Sequence, residues 1–297
     1  MAETHHFEAS RLFDMRGSVA LVTGGGTGIG LMITQALAAN GCKVYITSRR
    51  LEVIQDSAKK HQPPQSSGGQ VIAIGPCDVT KKSDLEKLVA DLSQKEKFIN
   101  LLVCNAGVSG PKAEPEHEDA EDLKQKLWDN ESPEEWSDVF NVNVNSVYFT
   151  TVAFLPLLQA SIAPKGPLGD FAPSVITISS MSGIMRHAQG HFSYNASKGA
   201  TVHLTKLMSS EFQKAKIRVN SIAPGYFPSE MTAKESDDRQ KSKVPAEKIQ
   251  EKGHVPLMRA GKEEEMGMTA LYLARNMYVN GEVIAVDGGV LNVVAGR

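Results

Sequence analysis

The sequence predicts an α/β fold, a doubly wound parallel sheet of seven strands in a single domain. Short apolar runs rich in β-branched residues recur at 19–23 (VALVT), 43–47 (KVYIT), 71–74 (VIAI), 101–104 (LLVC), 175–179 (VITIS), 219–223 (VNSIA) and 283–286 (VIAV), with longer helix-compatible segments between them. Runs this apolar, without strict alternation, suit strands covered on both faces, and the intervening helices supply right-handed crossovers. The 297 residues exceed an average domain, yet α/β folds of roughly 250 residues do form around one sheet.

The N-terminal residues 1–12 precede the first strand as an extension. They have neither the apolar core of a signal peptide nor the Arg-rich make-up of a transit peptide, and no apolar run reaches the ~18 residues that span a bilayer, so a cytoplasmic protein without a membrane partner is expected. A net charge of −2 creates no field to attract nucleic acid. Cys42, Cys77 and Cys104 show neither CxxC spacing nor neighbouring His pairs, so no metal site is expected.

The first strand is followed at once by Thr23-Gly24-Gly25-Gly26-Thr27-Gly28-Ile29-Gly30 and a helix-compatible run at 31–39. Glycines let the backbone turn sharply and come close to a pyrophosphate, while the next helix N-terminus offers free N–H groups and partial positive charge. Gly24, Thr27, Gly28, Ile29 and Gly30 are therefore candidates to bind a dinucleotide. At the end of the second strand, where an acidic residue would bind the ribose of NAD, stand Thr47-Ser48-Arg49-Arg50. A hydroxyl and two guanidiniums suit the 2′-phosphate of NADP(H).

Three stretches break the rhythm before the fifth strand ends: 62–69 (QPPQSSGG), 161–173 with three prolines and two glycines, and 112–135 with ten acidic and three basic residues. The acidic insertion reads either as a solvated loop with a helical turn or two around 123–128 or as a cap over the substrate mouth. After the sixth strand, 226–255 mixes Phe227 and Met231 with a charged stretch. It reads as a substrate lid or as an ordinary surface excursion.

Five motifs in order, spread over about residues 13–291, resemble the short-chain dehydrogenase/reductase family: the glycine turn, Asp78-Val79, Asn105-Ala106-Gly107, Tyr194-Asn-Ala-Ser-Lys198, and Pro224-Gly225 with Ser229. The style of the chain is similar to fungal members likened to 3-oxoacyl reductases. The resemblance implies a Rossmann-type fold and an NADP(H)-dependent oxidoreductase that reduces a carbonyl, a ketone or 3-oxoacyl-like group, to a secondary alcohol. It implies that Asp78, Val79, Asn105, Ala106, Gly107, Pro224, Gly225, Phe227 and Ser229 join the cofactor site, and that the chain forms a homotetramer or homodimer. A run of Ala, Gly, Ser and Thr at 196–210 suits close helix contact across a two-fold axis.

Residues four apart share a helix face, so Tyr194 and Lys198 project together. A free phenol, with a pKa near ~10, is a weak base at neutral pH, and an ammonium beside it draws that value down. Tyr194 is then the proton donor in reduction, while Lys198 holds the ribose and tunes the phenol. The resemblance supplies Ser180 as a second donor to the substrate oxygen, with Ser182 the alternative because Ser180 lies 14 residues before Tyr194, one more than expected. His187 and His191, in that loop, read as substrate contacts or as exposed histidines. The remaining family position is Asn143, whose amide would bind water and let Lys198 relay protons to solvent, with Asn141 and Asn145 the alternatives. A different class, a non-redox NADP(H)-binding scaffold, sensor or catalyst on the same fold, commonly lacks the Tyr or Lys that this chain keeps.

Overall fold

The computed structural model describes residues 4–116, 118–162, 172–233 and 236–294. The chain runs β1 (Val19–Thr23), α1 (Gly28–Ala39), β2 (Lys43–Thr47), α2 (Leu51–Lys60), β3 (Gln70–Ala73), α3 (Lys82–Ser93), β4 (Leu101–Cys104), α4 (Ala120–Trp128), α5 (Pro133–Phe140), α6 (Ser146–Ala160), β5 (Ser174–Ile178), α7 (Phe192–Phe212), β6 (Arg218–Pro224), α8 (Glu263–Arg275) and β7 (Val283–Val286). All seven strands are parallel, in the order β3-β2-β1-β4-β5-β6-β7.

That order places the site. From β1 the chain winds outward to β3, then crosses back to lay β4 against the other side of β1, so the loops leaving β1 and β4 diverge to opposite faces and open a crevice at the strand ends. Thr23 is in register with Cys104 and with Thr47, which brings the glycine turn, Asn105 and Ser48 to one edge.

Residues alternate between two cores, as strands buried on both faces require. Val22, Ile46 and Ile222 meet Ile33 and Leu37 of α1 and Met266 and Leu273 of α8, whereas Leu21, Leu102 and Val219 meet Leu88 of α3, Phe154 of α6 and Met208 of α7. The helices α1 and α8 approach closely: a Cβ on Gly267 would stand 2.7 Å from the Ala36 Cβ. Four strands keep the predicted ends, while β3 and β5 begin one residue earlier and β6 reaches Pro224, because ladder pairing rather than apolarity ends a strand.

The acidic insertion carries a helix, α4, capped by the Asp119 side chain on the Glu121 and Asp122 N–H groups. It begins earlier than the turn or two expected around 123–128 and buries no residue. The insertion nevertheless touches the site at its start, where Ala113 is 2% exposed and donates to the Gly190 carbonyl at 2.8 Å. Within 226–255 two short helices form, Glu230–Ala233 and Ala246–Gln250. Residues 1–3 of the N-terminal extension, 163–171 of the proline-rich stretch, residue 117 and residues 234–235 lie outside the described residues. Among the described residues no helix is long and apolar enough to cross a membrane.

Candidate active site

The glycine turn is built to present donors. Its three carbonyls are each held by a side chain behind the turn: Gly24 by Asn105 Nδ2 at 3.1 Å, Gly25 by Thr34 Oγ1 at 3.2 Å, and Gly26 by Ser57 Oγ at 2.6 Å. With the carbonyls turned inward and the first-turn amides of α1 without intrahelical partners, the turn offers N–H groups to an anion. Gly24 and Gly28 have φ of +64° and +50°, and a Cβ on Gly28 would stand 2.9 Å from the Ser229 Cβ. This narrow, donor-lined cradle fits the pyrophosphate of a dinucleotide. Gly30 stands elsewhere: its Cβ would meet the Gly24 carbonyl oxygen at 2.2 Å, so this glycine seats the helix against the turn and does not line the cleft.

The crevice is a cleft of about 1770 Å³. Apart from Gly30, and Asn143 with its alternatives Asn141 and Asn145, every residue singled out from the sequence for cofactor or catalysis lines it, from Gly24 through Ser48, Asp78 and Asn105 to Tyr194 and Ser229. Asn105 does this while stapling two strands, its amide on the Thr23 and Gly24 carbonyls and its backbone N–H on Thr23 Oγ1 at 3.0 Å. Phe227 is 2% exposed, with its ring against Gly261.

Tyr194 and Lys198 lie one turn apart on α7, and the Lys198 Nζ stands 5.7 Å from the Tyr194 ring centre. The ammonium donates to the Ile178 carbonyl at 2.8 Å, and burial brings its pKa down to about 8. Burial pushes the Tyr194 pKa up, and a hydrogen bond with the Ser180 hydroxyl pulls against it. Ser180 and Ser182 both line the cleft beside Tyr194. Ser182 supplies its backbone N–H to Ser180 Oγ at 3.1 Å. In the loop before Tyr194, Gln189 and Gly190 have φ of +51° and +75°.

Asn143 sits where the helix between α5 and α6 opens into a π-helical turn, Asn141–Asn145, and is 1% exposed. The amide expected to bind water also meets protein groups: Oδ1 accepts from the Val108 N–H at 2.9 Å, and Nδ2 donates to the Val108 carbonyl at 2.9 Å and to Ser197 Oγ at 3.0 Å. Its role in this geometry is to fasten the loop after β4 to α7. Asn141 and Asn145 pair with each other on the exposed side.

The family model for short chain dehydrogenase matches residues 18–240. The chain belongs to the short-chain dehydrogenase family. Short-chain dehydrogenase/reductase PhomF of Diaporthe leptostromiformis is 40% identical over 292 residues, covering 96% of this chain and 95% of that protein. The rhamnolipids biosynthesis 3-oxoacyl-(acyl-carrier-protein) reductase of Pseudomonas aeruginosa is 33% identical over 279 residues, covering 93% of this chain and 97% of that protein. A Pseudomonas aeruginosa RhlG/NADP active-site complex is similar with a TM-score of 0.78 at 32% identity, covering 94% of this chain and 98% of that one. As a short-chain dehydrogenase the protein is an oxidoreductase acting on CH–OH or C=O groups, and its family binds a nicotinamide cofactor.

Part of this dehydrogenase's cleft was not visible in the sequence. The Tyr226 hydroxyl meets His254 Nε2 at 2.9 Å, and Gln189 Nε2 meets the same nitrogen at 3.1 Å. Because His254 Nδ1 lies 2.7 Å from the Lys252 carbonyl, which only accepts, Nδ1 carries the proton and Nε2 is the acceptor. Three segments far apart in sequence make this polar wall, and no motif marks it. His187 and His191 also line the cleft; burial lowers the His191 pKa, against a bond to the Pro111 carbonyl.

Proposed function

We propose that this chain is an NADP(H)-dependent reductase that converts a ketone or 3-oxoacyl-like carbonyl to a secondary alcohol. The observation that carries the reading is the Ser180–Tyr194–Lys198 group on one wall of a cleft whose other end is the glycine cradle. NADP(H) is favoured because Ser48, Arg49 and Arg50 line the cleft at the end of β2 without a carboxylate of that strand end. The Pseudomonas aeruginosa relatives, one a 3-oxoacyl reductase and one a complex with NADP, agree with both halves of the proposal.

The nicotinamide supplies the hydride when bound. The chain supplies the proton and the oxygen site. Tyr194 donates its phenolic proton to the carbonyl oxygen, and the Ser180 hydroxyl donates a second hydrogen bond to that oxygen as negative charge gathers on it. Lys198, buried and charged at neutral pH, stabilises the phenolate left behind and would hold the nicotinamide ribose. Asn143 keeps α7 and the loop after β4 in register, which fixes the distance between Lys198 and the glycine-turn side of the cleft. The pyrophosphate would rest on the cradle of Gly24, Thr27, Gly28 and Ile29, with Ser229 closing from above. Asp78 and Val79 would flank the adenine.

The substrate is a small molecule admitted between the Tyr226–Gln189–His254 wall and the start of the acidic insertion, where Lys112 and Glu114 line the cleft. In this reading 226–255 acts as the lid. The chain assembles as a dimer or tetramer through α6 and α7, where Tyr148, Phe149, Val152 and Leu207 are exposed large apolar side chains. A panel of ketones and aldehydes tested for NADPH consumption, followed optically, checks the reading. Turnover of a ketone or 3-oxoacyl ester supports it, and no consumption across the panel with NADPH demonstrably bound contradicts it.

A further inference from the structure

We propose that Glu230 helps decide between NADPH and NADH, acting through Arg50. The proposal rests on reading the end of β2 as the phosphate end of the cleft. Arg50 Nη2 donates to Glu230 Oε2 at 2.9 Å, a contact between residues 180 apart in sequence, and both side chains line the cleft.

Glu230 lies in a part of the chain that meets α2 again further on. It opens the short helix Glu230–Ala233, and the segment that follows is fastened onto α2. His61 Nε2 donates to the Arg239 carbonyl at 2.7 Å, Gln240 Nε2 to Asp56 Oδ2 at 3.3 Å, and Lys60 Nζ to the Asp238 carbonyl. Arg50, one of the two guanidiniums at this end, therefore already faces a carboxylate.

A 2′-phosphate brings between about one and two negative charges and seeks free guanidinium N–H groups, whereas NADH presents neutral hydroxyls at the same point. To use Arg50, the phosphate must displace Glu230 and then lie beside it. Glu230 thus opposes NADPH and leaves NADH nearly untouched, so that the wild-type preference is smaller than Ser48, Arg49 and Arg50 alone would set. The side chains are 54% and 36% exposed, which makes the pair exchangeable and the effect modest, about threefold to tenfold in affinity.

The test uses the full chain without substrate, measuring NADPH and NADH dissociation constants by fluorescence titration for wild type, Glu230→Gln, Arg50→Gln and the double variant, with thermal melts confirming each fold. Glu230→Gln is expected to tighten NADPH about threefold to tenfold while NADH stays within roughly twofold. In the Arg50→Gln background the same change should shift NADPH by less than roughly twofold, because its route through Arg50 is gone. Equal shifts for both cofactors, an unchanged ratio, weaker NADPH binding, or an effect undiminished by Arg50→Gln would each overturn the proposal. Should Glu230→Gln fail to fold, Glu230→Ala is read by the same criteria. A wild type that binds NADH more tightly than NADPH would instead overturn the reading of the phosphate end, and the Glu230 ratio is still read within each pair of variants.

Discussion

Lys198 Nζ stands 5.7 Å from the centre of the Tyr194 ring and spends one of its protons on the Ile178 carbonyl at 2.8 Å. Lys198 is 4% exposed, so the fold carries a buried charge at a cost to its stability.

Lys198→Met should accordingly remove turnover while melting at the same temperature as wild type or higher at pH 7. Burial holds the Lys198 pKa at about 8, below its ordinary value of 10.5, so between these pH values the unfolded chain binds more protons than the folded one. Stability from this group therefore rises as pH climbs from 8 towards 10.5, by up to about 3 kcal/mol, and is at its least below 8. Urea midpoints of wild type and Lys198→Met across pH 7–10.5 check this: wild type should gain on the variant as pH rises. A constant difference would contradict the burial argument.

The cofactor assignment predicts that Ser48→Asp with Arg49→Ala moves preference from NADPH towards NADH. The change removes a guanidinium and places at the end of β2 a carboxylate able to accept the ribose hydroxyls. Comparing kcat/KM for the two cofactors measures it. A wild type that already prefers NADH would refute the role given to Arg49.

Arg218 is 6% exposed and holds together the far end of the sheet. Its Nη1 donates to the Leu273, Asn276 and Val279 carbonyls at 3.0, 3.2 and 3.1 Å, and Nη2 to Ala274 at 3.1 Å and Ala172 at 3.4 Å. Arg218→Met should destabilise the protein by roughly 3 kcal/mol, since the carbonyls at the end of α8 lose their donors together. The folded fraction should keep its NADPH affinity, because Arg218 does not line the cleft. Chemical denaturation and cofactor titration separate the two effects.

The parts of the site legible in the sequence are those made by residues near one another or by backbone. The glycine turn, the Tyr194–Lys198 spacing and the seven strands follow from local pattern and resemblance, and the structure places them on one cleft. Long-range pairings were not legible. The Arg50–Glu230 contact and the Tyr226–Gln189–His254 wall depend on how 226–255 folds back, and no periodicity encodes that. Gly30 looks from its spacing like a residue of the phosphate turn, yet its missing Cβ makes room for the Gly24 carbonyl. Asn143 shows the same limit: its place in an opened helix was readable, but the partners of its amide come from the loop after β4 and from Ser197.

The central claim is that the Tyr194 hydroxyl delivers the proton. Phe at that position keeps the ring in the cleft and removes only the donor, so Tyr194→Phe should fold as wild type and bind NADPH within a few-fold. Measured on the best ketone of the panel, its kcat should fall about 10²–10⁴-fold with little change in KM, because the proton transfer belongs to the transition state. A Tyr194→Phe enzyme with near wild-type kcat would contradict the account.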